Sequence, residues 1–225
     1  MIQQLSLRML AAMDMVSPGG VADIGTDHGY LAAALALDGR FSPVIATDVA
    51  ELPLSKAKEY AKKHGLEDKI IFRFGDGLNV LKSGEVKTAV IAGMGGETIA
   101  GILRACPWAR ESLELVLQPM SRPDILRREL AQCGFTLVKE QFVSENGRIF
   151  CIMKAVGGKM PPMTPAEEMT GLLTRDDPLF EKYANWVCSF TEKALKGVMN
   201  SSQADSEHTQ YMRSVLSELR DLKGE

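Results

Sequence analysis

Val21-Ala22-Asp23-Ile24-Gly25-Thr26-Asp27-His28-Gly29-Tyr30 reads as the end of an apolar strand, a tight glycine turn and the start of a helix. This is the signature of a nucleotide loop in an open α/β sheet, with an acid placed in it. In a dinucleotide fingerprint the turn runs G-x-G-x-x-G, and its second glycine lets the backbone approach a pyrophosphate. Here Asp27 stands two residues after Gly25. A carboxylate there repels a diphosphate, whereas it suits the cationic sulfonium or ammonium of S-adenosylmethionine, or a base about to be methylated. Another nucleotide and a purely structural β-turn-α are the other readings of the loop.

On either side the chain repeats a strand-helix rhythm. The pattern predicts strands at 20–24, 43–47, 69–74, 87–92 and 113–117, and helices at 29–37, 54–64, 97–104 and 123–133, the last with Pro123 in its first turn. Two further strands, 135–143 and 148–156, are expected to form a hairpin, because Asn146-Gly147 suits a tight reversal. Five βα units closed by a hairpin predict an α/β, Rossmann-like methyltransferase sheet. A dehydrogenase half would continue with further crossovers.

Pro161, Pro162 and Pro165 mark a linker. Beyond it, helices are expected at 166–173, 179–199 and 207–222, with a polar break at Asn200-Ser201-Ser202. Tyr183, Trp186, Val187, Phe190, Ala194 and Val198 recur at three-and-four spacing, as do Met212, Val215 and Leu219. Matched stripes predict a helical hairpin packed through both. The expected division is a sheet domain over 1–158 and a helical domain over 165–225.

The 225 residues, 45% hydrophobic and 24% charged, suffice for one substantial domain plus a small appendage. A net charge of -3 gives no global argument for a polyanionic partner, so phosphate contacts would need a local basic patch. From 161 to 225 eleven acids face seven bases, which puts such a patch on the first domain or on one face of the tail. Cys106, Cys133, Cys151 and Cys188 lack C-x-x-C spacing, predicting reduced, mostly buried thiols and no zinc site. No apolar run reaches membrane-spanning length, and the amphipathic start, with Arg8 and Asp14, is unlike a signal peptide. The expectation is a cytoplasmic protein with no membrane, metal or redox partner.

Ligands of open sheets bind beyond the carboxyl ends of the strands, so the residues there carry the chemistry. Asp23 is placed to meet a donor amino group, Gly25 lets the turn pass beneath it, and Gly29 opens the helix behind. Asp48 follows the second strand at the spacing of a ribose-binding acid, with a helix cap as the other reading. Asp76 in Gly75-Asp76-Gly77 either accepts from an adenine amino group or simply makes a turn. Gly93, Gly95 and Gly96 clear space for a planar target, while Met94 lines the adenine slot, lines the target slot, or packs inward. The Gln118 amide is a candidate contact to a base edge. His28 is a target or donor contact, or a solvated hydrogen-bonding group; Arg8 is a phosphate contact or an ion-paired surface group.

These residues together resemble the bacterial tRNA methyltransferases that modify N1 of adenine 22, the TrmK family. The likeness runs through Leu7-Arg8-Met9-Leu10, the 22–31 loop, Gly75-Asp76-Gly77-Leu78, Ile91 to Gly96, Leu117-Gln118-Pro119 and Gly147-Arg148-Ile149-Phe150. Asp48, Ala32 and Met120 depart from the family's frequent Glu, Pro and Asn. The resemblance implies S-adenosyl-L-methionine as cofactor, held by Asp23, Gly25, Gly29, Asp48, Asp76, Gly77, Met94 and Gly95. It makes Asp27 the catalytic acid and Arg8, His28, Tyr30 and Gln118 neighbours of a tRNA target. It also implies a coiled-coil-like C-terminal domain that helps hold tRNA, in a chain that is monomeric or self-associates through those helices. A methyltransferase of another RNA or small molecule, and a non-catalytic RNA-binding scaffold, are the competing readings.

Overall fold

Along β1 (Gly19–Ile24) successive side chains go to opposite faces of the sheet, as strand geometry requires. Ala22 and Ile24 enter one apolar core, and Val21 enters the other. Both faces are therefore covered, which explains why the strands read as continuous apolar runs. The computed structural model describes residues 4–198 and 206–223, so the expected break at 200–202 lies outside the described residues.

β1 is flanked in parallel by β2 (Phe41–Asp48) and β4 (Thr88–Gly95), which pair outward with β3 (Ile70–Phe74) and β5 (Glu114–Ser121). The chain then turns back: β6 (Phe135–Glu145) and β7 (Arg148–Gly157) form an antiparallel hairpin, and β7 docks on β5. The sheet order is β3-β2-β1-β4-β5-β7-β6. Asn146 at φ 50 and Gly147 at φ 76 make the hairpin turn, as their residue types predict.

The helices α1 (Leu7–Asp14) and α2 (Tyr30–Asp38) cover the face reached by Val21, together with α3 (Glu51–Lys63). The opposite face packs against α4 (Gly96–Ala105) and α6 (Pro123–Gln132). Between α4 and β5 lies a single turn, α5 (Ala109–Ser112), and Gly77–Val80 form a 3-10 turn after β3. Neither was expected, because a four-residue turn carries no periodicity. The strands β2, β4 and β5 run past their apolar stretches: Ala92, Met94 and Gly95 pair with Gln118, Pro119 and Ser121 through two register shifts.

After residue 158 come α7 (Pro165–Thr170), α8 (Phe180–Val198) and α9 (Glu207–Lys223). Thr164 and Glu167 form a reciprocal capping box at the start of α7. These helices share the core of the sheet. Tyr183, Ala184, Val187, Val215 and Leu219 belong to the same apolar cluster as Leu126 and Leu130 of α6. The expected stripe on α8 splits in two: Tyr183 and Val187 point inward, whereas Trp186 and Phe190 are each 54% exposed.

One polar knot fastens α7 to the sheet. Arg127, 0% exposed, donates from Nε to Glu140 Oε1 at 2.8 Å and from Nη1 to the carbonyls of Glu168 and Met169. The other oxygen of Glu140 accepts from the amides of Leu172 and Leu173 at 2.8 and 3.0 Å. Nη2 completes the set by donating to Cys151 Sγ at 3.1 Å, so both charged groups are hydrogen-bonded, the condition under which a buried pair is tolerated.

Candidate functional site

The β1 turn is shaped by backbone that few side chains would allow. Gly25 sits at φ +73, and a methyl group built on it would lie 2.1 Å from the Met94 Cε. Gly25 therefore lets the β1 and β4 loops touch, and Met94 lies over the turn as it packs against the core. Asp27 takes φ 51, left-handed backbone that aspartate tolerates better than most residues.

Hydrogen bonds tie the acids of this corner together. Asp23 is 4% exposed and accepts from the Thr26 hydroxyl at 2.7 Å. Asp48 accepts from the Asp27 amide at 3.1 Å through one oxygen and from the Ala50 amide at 2.9 Å through the other. The Gly25 and Thr26 amides donate to the Thr47 carbonyl, which locks the turn to β2. Burial pushes the Asp23 carboxyl up from 3.8 to about 6, against the opposing pull of the Thr26 hydroxyl and the Ala32 amide. Among the described residues no lysine or arginine forms an ion pair with it. A buried carboxyl lacking a cation is suited to an ammonium ligand.

Asp27 turns its side chain outward, 68% exposed, with His28 Nε2 3.6 Å from Oδ2. The His28 ring stacks on Tyr30 at 5.4 Å, and Tyr30 meets Tyr60 edge-on. These rings border the acidic turn at the start of α2. Asp76 is exposed beyond β3, and Gly77, at φ +53, lets the following turn approach Ile102 of α4. Gly95 leads into Gly96, where a Cβ would stand 2.2 Å from the Arg122 carbonyl oxygen.

Three expected positions have partners within the fold; for Arg8 this is the ion-paired reading, and for Gly29 the helix start, that the sequence offered. Gln118 is 0% exposed; it accepts from the Gly93 amide and donates to the Pro119 carbonyl, so it shapes the loop and its amide is spent before any base arrives. A Cβ on Gly29 would stand 2.9 Å from Ala57, so the glycine serves the contact of α2 with α3. Arg8 is paired with Glu145 and lies 5.3 Å over the Phe150 ring, anchored on the hairpin. Sequence reasoning passed over Thr26, although its place between Gly25 and Asp27 was a signal.

A cavity of about 980 Å³ is lined by residues of β5, the hairpin and the C-terminal helices, and by none of these acids. It runs from Pro119 and Met120 at the end of β5, past Arg148 and Phe150 of the hairpin, to Trp186 and Phe190 of α8. Among the described residues no group of three or more His, Cys, Asp or Glu side chains could hold a metal ion, and no helix is long and apolar enough to cross a membrane.

An open Rossmann-like sheet that ends in an antiparallel hairpin, with acids at the carboxyl ends of its first three strands, places those acids where ligands of such sheets bind. The chain belongs to the methyltransferase domain family, which it matches over residues 5–153. It is 36% identical over 157 residues to the tRNA (adenine(22)-N(1))-methyltransferase of Bacillus subtilis, a match spanning 69% of this chain and 66% of that protein. The crystal structure of the B. subtilis m1A22 tRNA methyltransferase TrmK superposes with a TM-score of 0.78 at 28% identity, covering 98% of this chain and 96% of that one. A Streptococcus pneumoniae protein solved in complex with S-adenosyl-L-methionine, 30% identical, gives a TM-score of 0.80 over 95% of this chain and 100% of its own.

Proposed function

We propose that the protein transfers a methyl group from S-adenosyl-L-methionine to N1 of adenine 22 in tRNA. The observation that carries the reading is the buried, cation-free Asp23 beside a glycine turn that also holds Asp27 and Asp48. The relatives named above are consistent with the same donor and substrate. When bound, the cofactor supplies an electrophilic methyl on a sulfonium cation.

The chain's own residues divide the work. Asp23 takes the donor ammonium, Gly25 and Gly95 keep side chains away, and Met94 flanks the pocket. Asp48 uses two of its roughly four acceptor sites on amides, which leaves the others for ribose hydroxyls. Asp76 and Gly77 lie where the adenine end would rest. Adenine N1 has a free lone pair, so no strong base is needed, but the ring becomes cationic as the methyl arrives. Asp27 accepts from the exocyclic amine and stabilises that charge. Its exposure means the incoming RNA must itself exclude water before the carboxylate acts at full strength. Because N1 lies on the pairing edge, a paired target must first be extruded. His28 and Tyr30 would border that base. We propose that 1–158 carries the transfer and that 165–225 extends the tRNA surface, with Lys182, Lys193 and Lys196 as phosphate contacts.

Unmodified tRNA is expected to gain one methyl, at N1 of adenine 22, detected by mass spectrometry of the digested product. Methylation that persists after adenine 22 is replaced would remove the proposed target.

Donor binding should also depend on pH through Asp23. Its ionised form takes the ammonium, and in the free protein that form is depleted below about pH 6. Donor affinity is expected to rise about tenfold from pH 5 to pH 7 and then to level off. Folding has the opposite sign: the raised pKa means that charging Asp23 between about pH 4 and pH 6 costs stability, which a bound ammonium restores. Calorimetry across this range would show the slope, and Asp23→Asn should abolish it. An equal slope in D23N would assign it to another group.

A further inference from the structure

Trp186 and Phe190, each half exposed, lie on the cleft side of α8 as a stack with centroids 5.5 Å apart and planes 17° from parallel. Tyr183 continues the series inward at 5.5 Å and 29°, resting against Phe142 of the sheet. The stack is thus rooted in the core and ends in solvent. Two exposed, indole- and phenyl-sized faces held in register are costly to leave in water, and they offer flat surfaces rather than a greasy patch.

The charges around the stack indicate what covers it. Arg148 and Lys182 line the same cleft, are exposed, and form no ion pair among the described residues. Arg148 lies 5.5 Å over the Phe150 ring, which holds its guanidinium at the cleft wall. The acids Asp124 and Glu168 are neutralised by Arg122 and Arg128, which leaves Glu207 as the lining carboxylate with no ion pair among the described residues. Aromatic faces beside unpaired cations are the combination that single-stranded nucleic acid uses, through base stacking and phosphate contacts. The cleft neighbours the proposed transfer site through the sheet, because Pro119 and Ser121 on its wall are the β5 partners of Met94 and Gly95.

We infer that this cleft is a second base-binding subsite, in which Trp186 and Phe190 stack an unpaired base of the RNA next to the one being methylated, while Arg148 and Lys182 hold its phosphates. The inference rests on the tRNA reading above. An extruded target leaves its neighbours without a stacking partner, and an aromatic shelf beside the transfer site replaces it. The subsite would bind RNA without reading its sequence, since every base has a π-face.

The test uses the full chain. In the double variant W186A/F190A the KM for tRNA is expected to rise about tenfold or more, from the worth of stacking one base. Donor affinity and melting temperature should remain at the wild-type level, and W186F should recover much of the loss. In a W108F background Trp186 is the single tryptophan, so a short single-stranded RNA should quench its fluorescence saturably. Unchanged KM in the double variant of an enzyme that methylates tRNA would overturn the subsite and leave the substrate reading standing. If the wild type does not methylate tRNA, the substrate reading fails, and the quenching experiment still decides whether the cleft stacks bases. A sedimentation shift to a dimer without quenching would give the face to a second copy of the chain and overturn the inference.

Discussion

Replacing Asp27 by alanine is expected to lower kcat about a hundredfold or more, at saturating tRNA and donor, while the donor dissociation constant stays near its wild-type value. The size is that of removing one charge-stabilising group from a transition state, about 2.7 kcal/mol. The separation of the two effects follows from geometry. The Asp27 amide, not its carboxylate, is bonded to Asp48, so the turn keeps its shape when the side chain is shortened. In the proposed site Asp23 and Asp48 remain to hold the donor. Alanine is strained at φ 51, whereas asparagine tolerates that backbone, so D27N serves as the control for local distortion. Equal losses in D27A and D27N identify the negative charge as the cause. Wild-type turnover in D27N would show that the charge does no catalytic work, and a parallel loss of donor affinity would move Asp27 into donor binding.

The second large effect is on stability. Arg127→Ala leaves Glu140 buried without its guanidinium and frees the carbonyls of Glu168 and Met169, so a loss of about 3–5 kcal/mol is expected in denaturant unfolding. Glutamine at 140 can still accept from the Leu172 and Leu173 amides, so R127M/E140Q should recover part of that loss. A loss below about 1 kcal/mol in R127A would mean that water reaches the knot and replaces the missing donor.

The parts of the fold visible in the sequence are those written in local chemistry. Gly25 and Asn146-Gly147 announce backbone with positive φ, and the structure has it at all three. Alternating or continuous apolar runs locate the strands but not their ends, because ladder hydrogen bonds carry β4 through Gly93 to Gly95, where glycines interrupt the apolar run. Position across the fold was not visible. Arg127 and Glu140 meet only once α6 and β6 are folded together, and each alone reads as a surface charge. Gln118 has the residue type of a base reader, yet its neighbours consume its hydrogen bonds. Three-and-four spacing placed Tyr183, Trp186, Val187 and Phe190 along one side of a helix, but periodicity cannot separate a core face from a face awaiting a partner.

The Arg127 knot also bears on the order in which the protein can be made. The seven-stranded sheet is complete in sequence at Gly157, yet Glu140 within it lacks its last partners until Leu173 has been synthesised. A nascent chain stopped between those points would hold a finished sheet with Glu140 and Arg127 short of the partners that Glu168 to Leu173 supply. Premature stops or proteolytic nicks in that interval should therefore yield a chain that the cell's quality control removes, rather than a trimmed but working enzyme.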